Sequence, residues 1–174
     1  MASSSVVNEL KDAIVATVKG ASDVLTALRT AVKDQVVGVV GDVSDVVQAA
    51  VVSAKDVGTS LIDAAKGSVS SAVSTVSETG GDVMMAIQKA VSGAVMGASE
   101  VGEDLGSVAV SAVEGAIEAA GKVGKSTNEV VKMAVGGAVE AADKIGTEAG
   151  KSVRTALRSA ASLPKDLVES ALKG

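Results

Sequence analysis

No histidine, cysteine, phenylalanine, tyrosine or tryptophan occurs in this chain, and its 174 residues include a single proline. Without cysteine there is no disulfide framework, thiolate zinc site or cysteine nucleophile, and the redox compartment goes unread. Without histidine the commonest general base and metal ligand are gone, so no catalytic, metal or cofactor site is expected. Without aromatics, a core has to be built from small knobs. Charge of one sign is also missing: 16 basic and 21 acidic residues leave a net charge of −5. That argues against nucleic acid, which requires a concentrated basic face. Long hydrophobic runs are absent too. The Val-rich stretch from Val36 to Val52 is broken by Asp42 and Asp45, and no charge-free run reaches the ~20 residues that span a bilayer. The segment Met1-Ala2-Ser3-Ser4-Ser5 lacks the basic and apolar regions of a secretory signal. The expected location is cytoplasmic, with export by a route needing no cleaved signal as the alternative.

What is present is valine, alanine and a period. Residues eleven apart from Ile14 onward form one series: Leu25, Val36, Val47, Gly58, Val69, Gly80, Val91, Gly102, Val113, Gly124, Val135, Gly146, Leu157 and Val168. From Val47 to Leu157 it alternates between an aliphatic residue and glycine, so the full unit is 22 residues. Nearly eight copies fill the chain as a single repeat domain, residues 1–174. Ala50, Ala72, Ala94, Ala116, Ala138 and Ala160 share one column, followed by Val51, Val73, Val95, Ile117 and Val139. A fixed period of this kind recasts every local motif.

Valine favours strands and glycine costs a helix ~1 kcal/mol relative to alanine, so a β-solenoid is the competitor. The apolar spacing in Val113, Ile117, Ala120 and Gly124 is that of a helix face, not strict alternation. Turn residues do not recur as a solenoid requires. Asp12, Asp34, Asp56, Glu78, Glu100, Lys122, Lys144 and Asp166 lie nearly opposite the seam, with Lys11, Lys33 and Lys55 on its flank, which gives an apolar stripe and a charged back. The expected fold is therefore all-α: long helices of 22-residue (two elevens) repeats, either extended or folded as an antiparallel hairpin or bundle. Thr79-Gly80-Gly81-Asp82 is the candidate break, Gly136-Gly137 a weaker one, and Pro164 opens a short C-terminal helix over 164–173.

Two fragments imitate catalytic motifs. Ala119 to Ser126 (AAGKVGKS) ends like a phosphate-binding loop, but Ala119 stands where the first glycine belongs and no strand precedes it. Ser162-Leu163-Pro164-Lys165 matches Ser-x-x-Lys without its companion motifs. A helix cap accounts for the second better.

The leading functional expectation is a non-enzymatic structural protein. It associates with itself through the Val/Gly seam, which repeats large and small positions and suits a filament, sheath or bundle in coiled-coil fashion. On this reading Gly102→Leu blocks close packing while raising helicity. The second expectation rests on a resemblance. The stretch Ala112-Val113-Glu114-Gly115-Ala116-Ile117-Glu118-Ala119-Ala120-Gly121-Lys122 is similar in period and composition to the eleven-residue-repeat helices of synucleins, exchangeable apolipoproteins and group 3 late-embryogenesis proteins. Phasins are a looser analogy. The resemblance implies an amphipathic helical coat on a lipid or hydrophobic granule surface. The chain departs from it in lacking a Lys-Thr-Lys-Glu-Gly core motif, proline punctuation and aromatic anchors.

Overall fold

The structure is a computed structural model that describes residues 43–56, 58 and 60–173. Every regular element in them is a helix: α1 (Val43–Asp56), α2 (Leu61–Glu78), α3 (Val83–Glu100), α4 (Leu105–Lys122), α5 (Thr127–Ile145), α6 (Thr147–Ser159) and α7 (Lys165–Lys173). The helices fold back into a bundle with long-range contacts and do not run on as an extended rod.

The cause lies in the turns. Gly58, Gly80, Gly102 and Gly124 all adopt the left-handed conformation, with φ between +72° and +76°, which glycine enters without the steric penalty of a Cβ. Gly80 N–H donates to the Ser77 carbonyl and Gly81 N–H to that of Val76. Gly102 and Glu103 repeat this toward Ser99 and Ala98, and Gly124 and Lys125 toward Gly121 and Ala120. This paired closure satisfies the last carbonyls and stops a helix. Two residues after each of these glycines stands Ser60, Asp82, Asp104 or Ser126, at the position that caps the next helix. Ser60, Asp82 and Asp104 accept the backbone N–H of Asp63, Met85 and Gly106. Gly-x-Ser/Asp is thus a stop-and-restart signal, and α2 to α5 begin 22 residues apart, at Leu61, Val83, Leu105 and Thr127.

The helices form two layers. In one, α3 packs between α1 and α5; in the other, α4 packs between α2 and α6; consecutive helices touch across the layers. Core residues are almost all Val and Ala. Ala50, Ala72, Ala94, Ala116 and Ala138 are each fully buried. The charged column points outward, with Glu78, Glu100, Lys122 and Lys144 exposed. Buried hydroxyls return hydrogen bonds to their own helix, Ser53 to the Ala49 carbonyl and Ser68 to that of Ala65.

Candidate functional site: the stack and its closing end

The eleven-residue series divides in two in space. Its aliphatic members are core: Val47, Val69, Val91 and Val113 are fully buried, and Val135, Leu157 and Val168 nearly so. Its glycine members Gly58, Gly80, Gly102 and Gly124 sit in the turns, where a methyl group would meet nothing within 4 Å. Among the described residues they make no close approach. Gly146 has extended backbone and links α5 directly to α6. Ile14, Leu25 and Val36, with Asp12, Asp34, Lys11 and Lys33, lie outside the described residues. The series therefore does not run along one helix: each helix contributes one buried aliphatic residue, and each connection up to α6 one glycine, while the turn from α6 to α7 has none.

Close backbone approach occurs at other glycines. A methyl at Gly93 would run into the Ser44 carbonyl oxygen, at Gly115 into that of Lys66, and at Gly137 into that of Gln88. The three contacts join α1 to α3, α2 to α4 and α3 to α5, each shifted by one 22-residue unit from the last. Gly97 follows Gly93, and a methyl there would stand 3.0 Å from the Gln48 carbonyl oxygen and from Val51, so contacts advance together along α1 and α3 and the two run parallel. Side chains tie the same neighbours on the outside. Gln48 donates to Glu100 at 3.0 Å, Gln88 donates to Glu140 at 3.2 Å, and Lys66 lies 3.6 Å from Glu114. Sequence reasoning read Gly136-Gly137 as a weak break. Gly137 is instead a helix-crossing point and Gly136 is exposed beside it. The signal that marks these sites is a glycine two residues past the aliphatic member of the series, as in Val91/Gly93, Val113/Gly115 and Val135/Gly137.

The C-terminal end is built differently. α6 buries only Gly150, Val153 and Leu157, and α7 only Val168. Arg154 forks onto Asp143 of α5 with two hydrogen bonds of 2.7 Å, and Arg158 pairs with Glu169 of α7 at 3.2 Å. The Arg154 guanidinium holds the Asp143 carboxyl below the usual aspartate range, and Asp143 raises Arg154 in return. The ammonium of Lys144, then that of Lys89, holds Glu140 below its ordinary value. In the turn after α6, Ser162 donates its hydroxyl to Glu114 of α4. A surface groove of about 790 Å³ runs between α4 and α6, floored by Gly106, Ser107, Ser111, Ser152, Thr155 and Ala156. Exposed Ile62 stands at its edge.

Neither motif-like fragment forms its site. Ala119–Lys122 ends α4, and the Gly124 and Lys125 amides that would cradle a phosphate already donate to helix carbonyls. The Ser162 hydroxyl is engaged by Glu114, and Pro164 opens α7, accepting from the Leu167 and Val168 amides. Among the described residues no group of three or more acidic, histidine or cysteine residues is placed to hold a metal ion. No helix there is long and apolar enough to cross a membrane.

The arrangement defines a two-layered, all-helical stack with Val/Ala cores and a charged closing pair. No protein-family model, curated protein or solved structure matches the chain.

Proposed function

We propose that the chain is a non-enzymatic structural protein whose helical stack is the building block of a homo-oligomer or polymer. The observation that carries this reading is the threefold recurrence of one backbone contact, Gly93 on Ser44, Gly115 on Lys66 and Gly137 on Gln88. A stacking rule that repeats with a fixed shift has no intrinsic end, and identical units obeying it continue from one to the next unless something caps them. The described valines of the series, Val47 to Val168, are used up inside the chain's own core, so copies meet through the ends of the stack, not through the Val/Gly line. The absence of histidine and cysteine from the whole chain supports the non-enzymatic part. A lipid or granule coat requires an outward apolar stripe. Among the described residues only Ile62 and Met85 are large, apolar and exposed, so coat binding by the described helices requires them to open. Light scattering and negative-stain microscopy in plain buffer test the proposal. Oligomers or regular filaments are the expected result. Monomers that bind only when vesicles are added would replace it with the surface-coat reading.

A further inference from the structure

The three inner helices of 18 residues, α2, α3 and α4, each bury eight to ten residues, whereas α6 and α7 together bury four, with Leu163 buried between them. α6 follows α5 through Gly146 alone, without the left-handed turn used at Gly80, Gly102 and Gly124. The residue two past Gly146 is Glu148, where the earlier turns carry Ser or Asp at the capping position, and α6, like α5, has no side-chain cap. Its outer tie to α5 is the Asp143–Arg154 fork, whose side chains are 49% and 35% exposed. Gly150 passes directly beneath the fork: a methyl there would run into the Asp143 carboxylate and come within 2.8 Å of the Arg154 guanidinium.

We propose that α6–α7 is a hinged strap over the end of the stack. It opens as a unit about Gly146 when the Asp143–Arg154 fork breaks, and a second copy of this chain occupies the uncovered end. The choice of occupant rests on the assembly reading above; the strap itself does not. Elements with few buried contacts and solvent-facing ties open locally at a free energy below that of global unfolding. The strap covers the Val/Ala ends of α4 and α5, with Ala156 seated on Gly106 so closely that a methyl on the glycine would lie 2.7 Å away. Here a glycine faces an alanine methyl, with the nearest backbone atom, the Ser152 carbonyl oxygen, 3.5 Å from where that methyl would stand, a looser form of the approach that joins the inner helices. An uncovered end is therefore shaped to receive an identical helix, and two uncovered ends meeting across a two-fold axis bury both.

The test uses the full chain and two changes that cut the fork from its two sides, Asp143→Asn and Arg154→Gln. Both side chains are partly solvent-facing, 49% and 35% exposed, so the fold survives. Amide exchange along α6–α7 and mass by light scattering are read together. The expected result is exchange about two- to fivefold faster in α6–α7, the range an exposed ion pair supplies. Exchange in α3 stays unchanged and the oligomer fraction rises in both variants. Unchanged or slower α6–α7 exchange in either variant, or exchange that rises equally in α3, would overturn the strap. Faster strap exchange with unchanged mass would overturn the second copy as occupant. If the parent assembles and both variants leave that assembly unaltered, the self-association reading stands and this one falls.

Discussion

The inner helices α2 to α5 and the closing pair α6–α7 are held by different forces. Inner helices meet backbone to backbone at Gly115 and Gly137 and fill the space between with Val and Ala. The α6–α7 pair meets the stack through a handful of buried residues and through charges on its outer surface, Arg154 with Asp143 and Arg158 with Glu169. Charge density follows the same division. α3 carries only Lys89 and Glu100, whereas α6, though shorter, carries Glu148, Lys151, Arg154 and Arg158. Dispersion at close contact does not depend on salt or pH, while exposed ion pairs do. The stack should thus be rigid in its body and adjustable at its end.

The largest expected effect comes from prising the body apart. Gly137→Val places a branched side chain against the Gln88 backbone, which has no low-cost way to yield. A loss of about 3 kcal/mol in denaturant unfolding is expected. Next, Val91→Ala and Val168→Ala delete the same two methyl groups from the two regions. At Val91, fully buried in α3, the loss is about 2 kcal/mol of global stability. At Val168 in α7, the same deletion raises amide exchange in α6–α7 and leaves α3 unaltered. Equal global losses would erase the distinction between body and strap. A third, smaller effect concerns the turns. Gly102→Leu costs about 1–2 kcal/mol, because φ is +72° there. It adds no helicity by circular dichroism, since Gly102 lies outside α3 and α4.

The smallest effect is electrostatic. The folded-state values of Asp143 and Glu140 are lowered, by Arg154 and Lys144 in first place. Their contribution is therefore fully present above the ordinary carboxylate range, near 3.8 for Asp and 4.5 for Glu, and is lost as pH falls through the lowered values. Asp143 is the tie to α6, whereas Glu140 is held by Lys144 and by Gln88 and Lys89 of α3, where close backbone packing remains. Between pH 5 and pH 2, exchange in α6–α7 should therefore accelerate more than exchange in α3. A larger acid acceleration in α3 would contradict the assignment of charge to the closing end.

Helical class was legible in the sequence because the apolar spacing of residues such as Val113, Ile117 and Ala120 belongs to one helix face, but that spacing left an extended rod and a folded bundle equally open. The division of the eleven-residue series between cores and turns was not. Glycine every 22 residues fits a small position on a continuous seam as well as a helix terminator, and the series alone does not separate the two. The discriminating detail is the next cap-competent residue: Asp82 after Gly80, Asp104 after Gly102, Ser126 after Gly124. It marks where a new helix starts and hence where the old one has stopped. Gly93, Gly115 and Gly137 were hidden for a different reason. A helical glycine costs propensity wherever it sits, and only the neighbouring carbonyl, distant in sequence, explains why it is there. The closing end is foreshadowed by Glu148, which breaks the capping pattern.

The account depends most on backbone contact at the helix crossings, and one pair of alanine substitutions addresses it directly. Gly115→Ala and Gly136→Ala both add one methyl to the interior of a helix, so propensity alone raises the stability of both by ~1 kcal/mol. At Gly136 the methyl meets nothing within 4 Å; at Gly115 it meets the Lys66 backbone. Thermal melts of the two variants beside the parent chain should show a higher midpoint for Gly136→Ala and a lower one for Gly115→Ala. Midpoints that rise in both would contradict the claim that this stack is held by close backbone approach.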